Sequence, residues 1–80
     1  MTRYFFHIQT AVLATDLDGV EFPDLDSARA MAARSFGELI KDYSSEFWST
    51  KPWSMTVTDD AGLTLFVLEM HGRPLSTSPD

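Results

Sequence analysis

The sequence contains one long amphipathic helical segment, and strand-like segments stand on both sides of it. Between Asp24 and about Ser45, apolar residues recur at three- and four-residue steps, which is the spacing of one face of an α-helix. Asp24 is a suitable N-cap, and Asp26 suits the positive end of the helix dipole. The apolar positions are Leu25, Ala28, Ala32, Phe36, Leu39, Ile40 and Tyr43. One helix can cover only one face of a small sheet, so few layer architectures remain.

Four segments have the composition of β-strands, namely residues 4–9 and 20–22 before the helix and residues 53–58 and 63–70 after it. Residues 53–58 alternate strictly between apolar and polar, which predicts a strand with one wet face. Gly62 ends a predicted hairpin turn and is expected at positive φ. Asp18-Gly19 is a second turn signal, and residues 11–18 fit either a continued strand or an irregular loop.

These elements predict an α+β fold in β-β-α-β-β order, with an antiparallel sheet of three or four strands and one helix packed on one face. Eighty residues hold at most one domain, which we expect to span residues 1–71. Residues 72–80 are rich in Gly, Pro, Ser and Thr, so we expect a disordered C-terminal tail there.

The last predicted strand indicates a second apolar surface. Simple alternation places Leu65 and Val67 on one face and Phe66 and Leu68 on the other, so both faces are apolar. We expect the face without the helix to be covered by a second copy of the chain, packed sheet to sheet or edge to edge, or by the loop that carries Phe47 and Trp48 or the tail folding back. The candidate interface residues are Phe5, His7, Phe47, Trp48, Phe66 and Leu68.

Composition excludes several classes of partner and site. Twelve acidic and six basic residues give a net charge of −6, and the basic residues form no cluster, which argues against nucleic-acid binding. The chain has no Cys, so it has no disulfide and no thiolate metal site, and we expect a cytoplasmic protein without a cofactor. The longest apolar run is far too short to span a bilayer, so we expect no membrane partner.

The segment Asp16-Leu17-Asp18-Gly19 resembles the first motif of the haloacid-dehalogenase phosphatases. That resemblance implies a nucleophilic Asp16, a general acid/base at Asp18 and a Mg²⁺ ion. The phosphatase fold requires a parallel sheet with crossover helices, a downstream Lys and a further acidic pair. The remaining chain offers one helix, so we expect no enzyme and keep the phosphatase as a remote alternative. His7 and His71 are expected to be structural.

Three stretches together resemble domain-of-unknown-function family 6894, a family of short proteobacterial proteins. They are residues 4–7 (YFFH), residues 19–29 (GVEFPDLDSAR) and residues 57–62 (VTDDAG). The resemblance covers residues 4–68, implies no activity, cofactor or site residue, and suggests that Asp18-Gly19 is a hairpin turn. The leading hypothesis is a small non-catalytic protein-interaction module, acting as a homodimer or with a protein partner. A weaker similarity, to antitoxin-like domains, suggests a regulator that binds a basic partner protein.

Overall fold

The computed structural model describes residues 1–48, 51–73 and 75 and contains five strands and two helices within them. It confirms the expected α+β class, with one main helix against an antiparallel sheet. The elements, in chain order, are β1 (Thr2–Gln9), β2 (Leu13–Ala14), β3 (Val20–Phe22), α1 (Leu25–Asp42), α2 (Ser44–Trp48), β4 (Trp53–Thr58) and β5 (Thr64–Met70).

The sheet has the strand order β2-β1-β4-β5, and β3 pairs with the first part of β1. Every strand pairing among the described residues is antiparallel. The chain reverses after β1 at a tight turn in which the Thr10 N–H donates to the Val12 carbonyl at 2.9 Å. The segment that joins β2 to β3 does not reverse the chain, because both strands run antiparallel to β1. The hairpin turn expected at Asp18-Gly19 was therefore wrong, although Gly19 does have a positive φ of 72°.

The core lies between α1 and one face of the sheet. Trp53, Met55 and Val57 of β4 are buried, as the strict alternation of that strand predicted. Ala28 and Ala32 of α1 are fully buried, and their small side chains allow the helix to approach the sheet closely. The other buried core residues are Tyr4, Phe36 and Phe47.

Local features of the chain mark where α1 begins and where it ends. The Asp24 carboxylate accepts the backbone N–H of Ser27 at 2.7 Å, which makes Asp24 the N-cap that the sequence predicted. The helix ends at Asp42, three residues earlier than expected, and Tyr43 leaves the helical conformation with φ −123°. A second short helix follows, so the expectation that Phe47 and Trp48 lie in a loop was wrong.

The sheet face opposite α1, called the outer face below, is largely polar. The expectation that both faces are apolar was wrong because β5 carries an irregularity. Val57 pairs with Phe66 and Thr58 with Thr64, so Leu65 is an extra residue and packs against the core instead of alternating outward. From β5, the outer face receives Val67 and Glu69, opposite Thr56 and Ser54.

The predicted hairpin turn at Gly62 is present, and part of the predicted tail lies among the described residues. Gly62 has φ 86°, as expected, and its N–H donates to the Asp59 carbonyl at 3.1 Å. Residues 72, 73 and 75 belong to no helix or strand. The rest of the predicted tail, residue 74 and residues 76–80, lies outside the described residues.

Candidate functional site

The strand β5 forms one edge of the sheet and is the first candidate surface. It has seven residues, and among the described residues it pairs only with β4. Its sequence, TLFVLEM, contains a single charged residue, Glu69, and no Pro or Lys. Backbone N–H and C=O groups on the free side of such a strand are available to pair with another strand.

Burial decreases from β4 towards this edge. Val57 and Met55 are buried, whereas their partners on β5, Phe66 and Leu68, are only half-buried. On the outer face, Val67 is 47% exposed. The apolar side chains of β5 are therefore incompletely covered on both faces, because α1 packs against β3 and β4 rather than over this edge.

The other end of the sheet differs because it ends in β2, which is only two residues long. Its neighbourhood is nevertheless apolar, since Val12 is 69% exposed and Leu13 is 63% exposed. Residues 10–15 contain no charged side chain. A strand this short offers few backbone groups for pairing, so this edge is a weaker template for a partner strand.

A groove of about 550 Å³ lies between the C-terminal end of α1 and the end of β1. It is lined mainly by apolar side chains, and the size is typical of sites that hold small organic molecules. The lining residues that carry a polar side-chain group are Thr10, Tyr43, Glu46 and Trp53. The full lining is Ile8, Thr10, Ala11, Ala14, Leu39, Tyr43, Glu46 and Trp53.

Asp16 is the centre of a hydrogen-bond cluster in the segment that joins β2 to β3. One carboxylate oxygen accepts the Phe6 N–H at 3.1 Å, and the other accepts the N–H groups of Asp18 and Gly19 at 3.1 and 3.0 Å. Burial raises the pKa of Asp16, but these three hydrogen bonds and the nearby His7 outweigh burial, so the pKa lies below its usual value. The carboxylate thus stabilises the backbone of this segment, a role different from that of a phosphatase nucleophile.

His7 connects the same segment to β4. Its Nδ1 accepts the backbone N–H of Asp16 at 3.1 Å, and its Nε2 lies 3.1 Å from the Thr58 hydroxyl oxygen. Both ring nitrogens are therefore engaged within the chain. His71 takes part in no hydrogen bond or ion pair within the part of the chain that the structure describes.

The six predicted interface residues do not form one surface. Phe66 and Leu68 lie on the face that carries α1, whereas Phe5 and His7 lie on the outer face. Phe47 is buried in the core, and its ring meets that of Trp53 edge to face at 5.3 Å. Trp48 is exposed and lies beside Gly72. Phe66 and Leu68 lie on the α1 face because they pair with the buried Val57 and Met55, and Phe47 is buried as part of α2.

The groove and the edge position of β5 were not predicted from the sequence. A signal for the groove existed, because residues 10–15 combine exposed apolar side chains with an absence of charge. The edge position of β5 had no such signal, since strand order depends on pairings between distant segments.

Within the described residues, no three His, Asp or Glu side chains come close enough together to hold a metal ion. No helix in the described part of the chain combines the length and hydropathy needed to cross a membrane.

Comparison with known proteins identifies the family. No curated protein and no solved structure matches the chain. A family model described as a domain of unknown function, DUF6894, matches residues 3–71, which include every helix and strand of the structure except the first residue of β1. The expected resemblance is confirmed, and the chain belongs to domain-of-unknown-function family 6894.

Proposed function

We propose that the protein is a non-catalytic interaction module that self-associates, and that two copies pair through β5. The observation that carries this proposal is the long edge of β5, which pairs with no described strand other than β4 and has one charged residue in seven. Soluble proteins usually shield such an edge with Lys, Pro, bulges or a covering segment. In β5 the bulge at Leu65 protects one end of the strand and leaves the rest open.

A two-fold symmetric, antiparallel pair of β5 strands centred on Val67 gives the apolar side chains of this edge apolar partners. In that register Val67 faces its own copy on the outer face, and Phe66 of each chain faces Leu68 of the other on the α1 side. The half-buried Phe66 and Leu68 would then gain apolar neighbours where α1 leaves them uncovered. Two sheets would become one continuous sheet.

Charge also favours a register centred on Val67. In that register the two Glu69 residues are offset by four positions, or about 14 Å along the strands. Like charges directly opposite each other destabilise a strand pair, and this register avoids that arrangement. Pairing through a single strand edge buries little surface, so we expect a dimer that dissociates on dilution.

The antitoxin-like alternative has weaker support. A surface that binds a basic protein needs carboxylates that are available to it. Several acidic residues in the first third of the chain already act within the protein: Asp16 accepts three backbone N–H groups, Asp24 caps α1, and Glu21 lies 3.2 Å from Arg3. The absence of Cys supports a cytoplasmic setting, where disulfides are rare.

Sedimentation analysis of the wild type and two lysine variants tests the proposal. Val67→Lys places a cation at the centre of the proposed pair, where it would face its own copy, so we expect a monomer. Val20→Lys is the matched control, because Val20 is also a strand valine and is also 47% exposed, but it lies on β3. We expect this control to dimerise as the wild type does.

The controls make the result decisive. Thermal melts should first show that both variants are folded. A wild type that stays monomeric at high concentration would refute self-association, and a folded Val67→Lys that dimerises as well as Val20→Lys would refute the role of β5.

A further inference from the structure

The hydrogen bonds of His7 restrict its ring to one protonation state. Because the Asp16 backbone N–H donates to Nδ1, that nitrogen carries no proton. The proton of the neutral ring must then sit on Nε2, where it can be donated to the Thr58 hydroxyl 3.1 Å away. A protonated ring has N–H groups on both nitrogens, and its Nδ1–H would point at the N–H of Asp16.

We propose that His7 is a proton-operated latch, whose neutral form holds residues 15–19 on the outer face and whose protonated form releases them. Histidine is the side chain that commonly changes charge between pH 5 and 8. The latch is therefore to be tested between pH 5 and pH 8. This proposal does not depend on self-association through β5.

A protonated His7 opposes the Asp16 N–H at Nδ1 but attracts the Asp16 carboxylate, so release depends on the ring displacing the backbone N–H groups that this carboxylate accepts. The carboxylate of Asp16 is the charged group that acts on the ring, and it already accepts three backbone N–H groups. A protonated His7 competes with those groups for the same oxygens. The uncharged neighbours of the ring on the outer face are Gln9, Thr56, Thr58 and Val67. Two charged residues also lie on this face: Arg3 pairs with Glu21, and Glu69 of β5 is more distant.

Opening the latch changes what the outer face presents. Gly19 lies against the Phe5 ring, so release of residues 15–19 uncovers that ring. It also removes the Asp16 acceptor from the Phe6 N–H. The acidic form thus exposes more of the Phe5 ring, which is half-buried while His7 is neutral, and leaves the Phe6 N–H without its acceptor.

Nuclear magnetic resonance can follow the latch residue by residue. Long-range nitrogen correlations should show the neutral His7 ring with its proton on Nε2, and His71 provides an internal reference. Amide protection of Asp16 and Gly19 should fall by about tenfold as His7 is protonated, the effect of losing roughly one net hydrogen bond. Protection at Met55 and Val57 in the core should stay constant.

Two variants separate the latch from general acid effects. His7→Asn keeps an acceptor at about the position of Nδ1 but cannot be protonated, so residues 15–19 should stay protected from about pH 7.5 down to pH 5.5, the range in which histidine titrates. His7→Gln carries its amide at about the position of Nε2, so it should lose that protection at every pH.

The latch is refuted if the neutral ring carries its proton on Nδ1. It is also refuted if His7→Asn loses protection with falling pH as the wild type does, because the titrating group would then be another one. If His7 titrates in the wild type without any change at Asp16 and Gly19, the ring does not control the segment, and the proposal fails as well.

Discussion

Gly19 lies directly against the ring of Phe5 on the outer face of the sheet. A Cβ atom added to Gly19 would lie 2.9 Å from Cε2 of Phe5 and 2.8 Å from Cγ of Arg3. The same residue has φ 72°, a conformation that other residues adopt only with strain. The close contact and the backbone conformation together require glycine at this position, and they show how a short segment packs over the Phe5 ring.

Gly19→Ala should destabilise the protein by about 2 kcal/mol, because it adds both backbone strain and a steric clash. Gly37→Ala is the matched control, since Gly37 lies in α1 and a Cβ there would meet no atom within 4 Å. It should stabilise the protein by about 0.5–1 kcal/mol through the higher helix propensity of alanine. Urea denaturation of both variants measures the two changes, and a neutral effect of Gly19→Ala would contradict the described packing.

Asp16→Asn should lower the stability at pH 7 by about 2 kcal/mol, because the charge-assisted hydrogen bonds to three backbone N–H groups are weakened. Asp60→Asn provides the control, since it removes the same charge from an exposed turn residue. Urea titrations at one pH compare the two variants. Equal losses would mean that net charge, rather than the hydrogen bonds of Asp16, determines the effect.

Stability should fall as the pH is lowered below about 4, and Asp16 should account for part of that fall. Its pKa is held below the ordinary value of 3.8 in the folded chain, so the folded state binds fewer protons there than the unfolded state does. The stabilisation is therefore present above the unfolded-state pKa and disappears as the pH falls through the folded-state pKa. Urea titrations from pH 6 to pH 2 should show a shallower acid dependence for Asp16→Asn than for the wild type; identical slopes would exclude Asp16 as a source.

Asp24→Ala should destabilise the protein, because it removes the side-chain acceptor that caps α1. Asp24→Ser retains a capping oxygen and should recover most of the loss. Helix content by circular dichroism and the urea midpoint report the change. A loss that serine fails to recover would mean that the charge at the start of α1 matters more than the cap.

Added salt should strengthen the proposed dimer. Each chain carries a net charge of −6, so two copies repel, and screening reduces that repulsion while leaving apolar and backbone contacts in place. Dissociation constants from sedimentation at low and high salt provide the measurement. A dimer weakened by salt would instead indicate that opposite charges hold the copies together.

Elements that depend on their own periodicity were predictable, and elements that depend on distant pairings were not. The apolar stripe that includes Ala28 and Phe36 indicated α1, and strict alternation gave the bounds of β4 correctly. The bulge at Leu65 has no local signature, since it is defined by the pairing of β5 with β4. The position of Asp16 beside Phe6 likewise depends on how β2 and β3 both align on β1. Because the bulge directs Leu65 to the core, the second apolar face that simple alternation suggested is absent from the described part of the sheet.

Mixing two charge variants of Val67 tests pairing through β5 most directly. Val67→Lys and Val67→Glu should each be monomeric alone, because like charges would meet at the two-fold axis. An equimolar mixture should form a heterodimer of twice the chain mass, seen by sedimentation, because lysine then faces glutamate. If the mixture stays monomeric while the wild type dimerises, or if each variant dimerises alone, the two copies do not meet at Val67.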